Sequence, residues 1–197
     1  MFDRLKTILA LRWVQITLAV LLLSTVVYVL FFRSITITPQ AEAKLMAELE
    51  LTKESYQLAA FESDGCSGGI SDNWQAAIES FSKLSDTFEA EYADLVAVPF
   101  ESACIEHDRL YHAGIGGYAG RLEADNQLRM AVIAYGVTNA SSVQQRTGLA
   151  TAEQAIFLYE LIAEVVYRGV RLGGAPCTEE TYAWGYGYNR GACLKLD

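Results

Sequence analysis

From Trp13 to Phe32 the chain runs for 20 residues, WVQITLAVLLLSTVVYVLFF, without one charged side chain. At helical rise, roughly 20 apolar residues cross the hydrocarbon core of a bilayer. Arg12 and Arg33 bracket the run, and Trp13 and Tyr28 suit the two interfaces. A cleaved leader would have a shorter apolar core, roughly 7–15 residues, with small residues marking the cut. No A-x-A pattern follows Phe32, so the run reads as an uncleaved anchor. Arg4, Lys6 and Arg12 precede it against a single acid, Asp3, which puts the N-terminus in the cytoplasm. The expectation is a single-pass protein of the inner (cell) membrane. Residues 1–33 form a stub and transmembrane helix, and residues 34–197 form a periplasmic or extracellular domain.

The exported part carries 11 basic and 23 acidic side chains, a balance of −12 within a whole-chain charge of −9. Nucleic acid is excluded as a partner, because phosphate neutralisation needs a basic surface. An acidic domain also does not lie flat on anionic headgroups. With 52% hydrophobic residues and three prolines, the chain is not disordered, and the exported part is long enough to bury a core. All four cysteines, Cys66, Cys104, Cys177 and Cys193, fall in it. An even count in an oxidising compartment favours two disulfides, and the sequence permits three pairings. No close C-x2-C pair suggests zinc.

The exported chain reads as all-α. A charged, Ala/Leu-rich helix is predicted over about Ala41–Phe61, followed by a glycine-rich loop, Ser63–Ser71. Trp74, Ile78 and Phe81 have helical spacing within a further helix over Asp72–Tyr92. Helices are also expected over Ser102–His112 and Arg121–Tyr135, separated by a second glycine loop, Gly114–Gly120. Thr151 and Gln154 form a capping box that opens a long helix ending near Gly173–Gly174. The tail alternates glycine with Trp184, Tyr186 and Tyr188. A small hairpin closed by a Cys177–Cys193 bridge would suit it, with the rings forming a packed cluster rather than a ligand cage.

Only two histidines occur, both within Cys104–His112 (CIEHDRLYH). His107 and His112 are five apart and do not share a face as an H-E-x-x-H zinc pair does. On a helix Cys104, His107 and Tyr111 line one face, and Asp108 points about 100° round from His107. A base and a carboxylate can thus face two parts of one site. Asp64 and the bare carbonyls of its glycine loop are the hard oxygen ligands calcium takes. A Cys66–Cys104 bridge would pin that loop beside His107. Asp125, on the next helix, can meet His107 if the two helices are antiparallel, fixing its tautomer. Taken alone, His107 reads as a structural histidine, and Asp125, Glu101, Glu106 and Glu123 as solvated helix acids.

Together the residues resemble the secreted phospholipases A2, in particular their compact bacterial and fungal branch. The resemblance is carried by Asp64-Gly65-Cys66, by Pro99–Tyr111 (PFESACIEHDRLY) and by Asp125 in ADNQL, over roughly Ser63–Tyr135. It implies a core of two antiparallel, disulfide-linked helices with a calcium loop, and a Cys66–Cys104 bridge. It implies calcium-dependent hydrolysis of the sn-2 ester of a glycerophospholipid. His107 would be the base that takes a proton from water, Asp125 its orienting partner, and Tyr111 a member of their network. Asp64, the Gly65 carbonyl and Asp108 would hold one Ca2+ ion. On these roles Asp125→Asn is expected to fold, bind calcium and lose rate. The chain departs from the family in its anchor, in the helix predicted over Asp72–Tyr92 and in its aromatic tail. The competing reading is a non-catalytic domain on the same fold that binds lipid, metal or a partner.

Overall fold

The computed structural model describes residues 38–66, 98–147, 149–178, 180–189 and 193. Contacts divide the chain into Met1–Thr38 and Pro39–Asp197, and the second unit is the subject below. The apolar run at Trp13–Phe32 and the helix expected over Asp72–Tyr92 lie outside the described residues. Among the described residues no helix is long and apolar enough to cross a membrane.

The described secondary structure is entirely helical: α1 (Pro39–Ser55), α2 (Glu101–Ala113), α3 (Gly117–Thr138), α4 (Ala140–Thr147), α5 (Ala152–Gly173) and the single turn α6 (Tyr186–Asn189). Helix α2 ends at Gly114, whose left-handed φ of 56° lets its N–H reach the Leu110 carbonyl. Two residues later Gly116, at φ 89°, opens α3. This short connection makes α2 and α3 an antiparallel pair. Helix α5 starts at Thr151, whose hydroxyl accepts from the Gln154 N–H. The Gln154 side chain reaches back to the Ala150 N–H, one residue beyond the usual capping box.

The larger core lies between α3 and α5. Leu128 and Val132 face Tyr159, Ala163 and Val166, with Phe100, Cys104 and Val143 closing the end. The two helices approach most closely at Gly136, where a Cβ would stand 2.3 Å from the Tyr159 Cβ. A smaller core lies on the other side of α2, where Met46, Leu49, Tyr111, Ala124, Trp184 and Tyr186 meet. Trp184 stands edge-on to Tyr111 with ring centres 5.0 Å apart. The Gly185 N–H bonds the Tyr111 carbonyl at 2.7 Å.

Two disulfides form, Cys66–Cys104 and Cys177–Cys193, with Cα separations of 5.2 and 4.6 Å. The first joins the loop before the site to α2. It is the loop-to-helix bridge expected from the sequence, and the second is the bridge expected in the tail; neither ties α2 to α3.

Three local expectations change. Helix α1 stops at Ser55 rather than near Phe61. Residues after it run irregularly, tied to the tail by Ala59 N–H to Gly187 O and by the Tyr186 hydroxyl to Glu62 O. Helix α4 is an addition, entered through Asn139, whose side-chain amide caps the Tyr135 carbonyl. The tail forms a helical turn instead of a hairpin. Alternating aromatics suggested strand, but Tyr182 and Tyr186 stack edge-on at helical i, i+4 spacing.

Helix α1 docks by Leu49, which sits against Gly114 and Gly185. Gly185 has φ +81°, and a Cβ there would lie 2.5 Å from Leu49 Cδ1. Gly117 has φ +57° but no neighbour within 4 Å. Gly117→Ala should therefore cost only the left-handed backbone term, about 1–2 kcal/mol. Gly185→Ala adds overpacking of about 1–3 kcal/mol and should lower the urea midpoint clearly further. Equal midpoints for the two variants would contradict this packing.

Candidate active site

Helices α2 and α3 each present an i, i+4 pair to the other: His107 and Tyr111 face Arg121 and Asp125. His107 Nε2 lies 2.9 Å from Asp125 Oδ1. The Tyr111 hydroxyl donates to the same oxygen at 2.5 Å. Asp125 is fully buried and His107 is 7% exposed. An ionised Asp125 accepts from both, so the network assigns the neutral imidazole proton to Nε2 and leaves the Nδ1 lone pair free. Nδ1 lies 3.9 Å from Asp108 Oδ1, beyond hydrogen-bond distance, and the two form an ion pair only when the imidazole is protonated.

Asp108 points away from Asp125, as helical geometry requires, and meets the loop before Cys66. Its Oδ2 accepts from the Ser63 hydroxyl at 2.6 Å, and Ser63 in turn accepts from the Gly65 N–H at 3.0 Å. Burial first, then the charges of Asp108, Asp64 and Glu62 among others, push the Tyr186 hydroxyl up from its usual range. Both expected calcium carboxylates therefore act on one hydroxyl. Among the described residues no three His, Cys, Asp or Glu side chains form a metal cluster. The expected set needs only two carboxylates, completed by backbone carbonyls. The group turned toward Ser63 at Gly65 is its N–H, and Asp108 Oδ2 is engaged by the Ser63 hydroxyl, so a hard divalent cation, which takes oxygen ligands, would have to displace these contacts. Residues 67–71 of that loop lie outside the described residues.

Of the six expected site residues, His107, Tyr111 and Asp125 are in direct contact, Asp108 projects from α2 to Ser63, and Asp64 and Gly65 follow Ser63 in the adjoining loop. The second histidine does not join them. His112 is buried on the opposite side of Tyr186, edge-on to Phe61 and Tyr186. A cavity of about 100 Å3 beside it is lined by Glu62, Tyr182 and Tyr186. That is below the roughly 300 Å3 at which ligand pockets begin.

The sequence missed three residues. Arg171, from the last turn of α5, donates Nη1 to Asp125 Oδ2 at 2.8 Å. Its Nη2 donates to Glu42 Oε2 at 2.7 Å. Arg121, fully buried, donates Nη1 to Glu42 Oε1 at 2.5 Å and Nε to the Tyr111 hydroxyl at 3.0 Å. Arg121 was legible as the i, i+4 neighbour of Asp125 on a face expected to be buried. Glu42 carried no local signal, since α1 reads as a charged surface helix.

Asp125→Asn would also remove one of the two carboxylate partners of Arg171, a contact that the sequence did not suggest.

No family model matches the chain, and neither any curated protein nor any solved structure matches it.

Electrostatics give a further expectation. Burial works against charge on His107, but the carboxylates of Asp108 and Asp125 outweigh it and raise its pKa above 6.5. A raised folded-state value means that protonated His107 stabilises the fold at low pH. That contribution is complete below the unfolded value and is lost as pH rises through the folded one. Histidine NMR titration of the chain in chelator should place His107 above 6.5. A value below 6.5 would mean that desolvation outweighs the two carboxylates.

Proposed function

We propose that the chain is a calcium-dependent phospholipase A2-type hydrolase that cleaves the sn-2 ester of glycerophospholipids. The observation that carries this reading is the 2.9 Å contact of the buried Asp125 carboxylate with His107 Nε2, with Nδ1 turned toward Asp108 on α2. The residue pattern that resembles the family supplies the reaction class.

The chain's own chemistry follows from those contacts. His107 Nδ1 takes a proton from water as the water oxygen bonds to the ester carbonyl carbon. The imidazolium so formed is stabilised by Asp125 on one side and Asp108 on the other. When the ester C–O bond breaks, the same proton passes to the departing alkoxide of the lysolipid. Tyr111 stays protonated, because burial and the Asp125 charge raise its pKa well above its usual value, so it remains a donor to Asp125. Asp108, Asp64 and the Gly65 carbonyl would hold the calcium ion, which supplies electrophilic polarisation of the ester carbonyl. The anchor expected at Trp13–Phe32 would keep this domain at the periplasmic face of the inner membrane, within reach of lipid.

Adjacent residues then have separable roles. His107→Ala should keep calcium binding, measured by calorimetry, and lose ester hydrolysis by about 10²–10⁴-fold, the usual contribution of a general base. Asp108→Asn should lose calcium binding and hydrolysis together, since it deletes a ligand carboxylate. If His107→Ala folds and hydrolyses lipid at the parent rate, His107 is not the base and the proposed chemistry is wrong; if the parent chain hydrolyses no lipid in calcium, the domain is a binding module.

A further inference from the structure

Five side chains form a closed circuit of hydrogen bonds behind the imidazole: Asp125, Arg171, Glu42, Arg121 and Tyr111. Each link spans 2.5–3.0 Å. The reaction proposed above assigns no task to Glu42 or to either arginine. We propose that Glu42 is a positioning residue for the His107–Asp125 pair. By bridging Arg121 and Arg171, it closes the circuit that fixes both oxygens of Asp125 and keeps the His107 proton on Nε2. This rests on the reading of His107 as the base.

Three features support it beyond the contacts themselves. The first is orientation. Asp125 Oδ1 takes two donors, so the carboxylate is held only if Oδ2 is also engaged, and Arg171 engages it. Arg171 is a long side chain at 16% exposure, and its second nitrogen is held by Glu42. Arg121 donates to the Tyr111 oxygen, which leaves the Tyr111 proton directed at Asp125.

The second feature is charge. Two arginines face two carboxylates, and the circuit is balanced. Without Glu42 the two arginines face Asp125 alone. The surplus cation then competes with the imidazole for Asp125, in a setting where screening by water is weak.

The third is that α1 has docking contacts besides Glu42. Leu49 sits in the Gly114–Gly185 notch, and Lys53 Nζ bonds the Gly114 carbonyl at 2.7 Å. Glu42 stands in the first turn of α1, where the helix dipole favours an acid. A single arginine would satisfy an ion pair that served only to hold the helix. Glu42 takes two, and their other donors go to Asp125, Tyr111 and the carbonyls that end α5.

The test uses the full chain labelled with 15N-histidine, at a pH where His107 is neutral, in chelator and without substrate. With only two histidines in the chain, a His112→Gln spectrum assigns the signals. Two variants are compared with the parent. Glu42→Gln keeps the shape and removes the charge. The double variant Glu42→Leu/Arg121→Met opens the circuit by replacing one ion pair with apolar groups, which buried pairs often tolerate, and leaves Arg171 and Asp125 a balanced pair; it also removes the Arg121 bonds to Tyr111 and to the Val170 and Arg171 carbonyls. It carries the test if Glu42→Gln does not fold. The parent should show the Nε2–H tautomer alone. The folded variants should show a mixture of tautomers, and kcat for lipid hydrolysis should fall about 10–100-fold, as for other residues behind a reactive group, with KM changed by less than about threefold. A folded double variant that keeps the single tautomer overturns the proposal, whatever its rate. So does a mixed tautomer with an unchanged kcat. If the parent itself hydrolyses no lipid in calcium, the phospholipase reading fails. The tautomer spectra then still decide whether the circuit orders His107.

Discussion

The site depends on one buried carboxylate. Asp125 has no exposure to solvent and accepts donors from three side chains, His107, Tyr111 and Arg171. An unpaired charge at such depth would cost several kcal/mol, and pairing alone does not always recover it. The structure surrounds it with donors from two helices, one of them backed by a third. Helix α2 supplies His107 and Tyr111, α3 supplies Arg121 through Tyr111, and α5 supplies Arg171. The position of the imidazole is therefore a property of the whole bundle rather than of the local C-x-x-H-D pattern.

The same dependence explains the small core around Tyr111. Trp184 packs its edge, and the Gly185 backbone bonds its carbonyl. The aromatic tail therefore acts as the rear wall of the site, and the Cys177–Cys193 bridge lies beside that cluster. The Cys66–Cys104 bridge does the equivalent at the front, holding the Ser63–Gly65 turn where Ser63 reaches Asp108. Each bridge fixes a segment with little secondary structure of its own, which is where a covalent constraint contributes most.

What could be read from the sequence was local. Helical spacing alone placed Cys104, His107 and Tyr111 on one face and turned Asp108 away from them. The glycines between α2 and α3 announced a tight connection, and hence an antiparallel pair with Asp125 opposite His107. The limits of α1 and the tail were not legible, because their contacts come from distant backbone. Ala59 is held by Gly187, and Trp184 N–H by the Gly174 carbonyl. Glu42 was the hardest case. Its partners lie 79 and 129 residues away, and a helix this polar gives no periodic sign of which acid turns inward. The two arginines that needed it were visible only once α3 and α5 had been brought together.

The central claim is that this arrangement drives water against a lipid ester with the help of a bound cation. Its most direct test is fatty-acid release by the full chain from vesicles whose phospholipid carries different acyl chains at sn-1 and sn-2. The account predicts release of the sn-2 acid alone, in calcium, and none once chelator is added. Equal release from both positions, release that persists in chelator, or no release in calcium would contradict it.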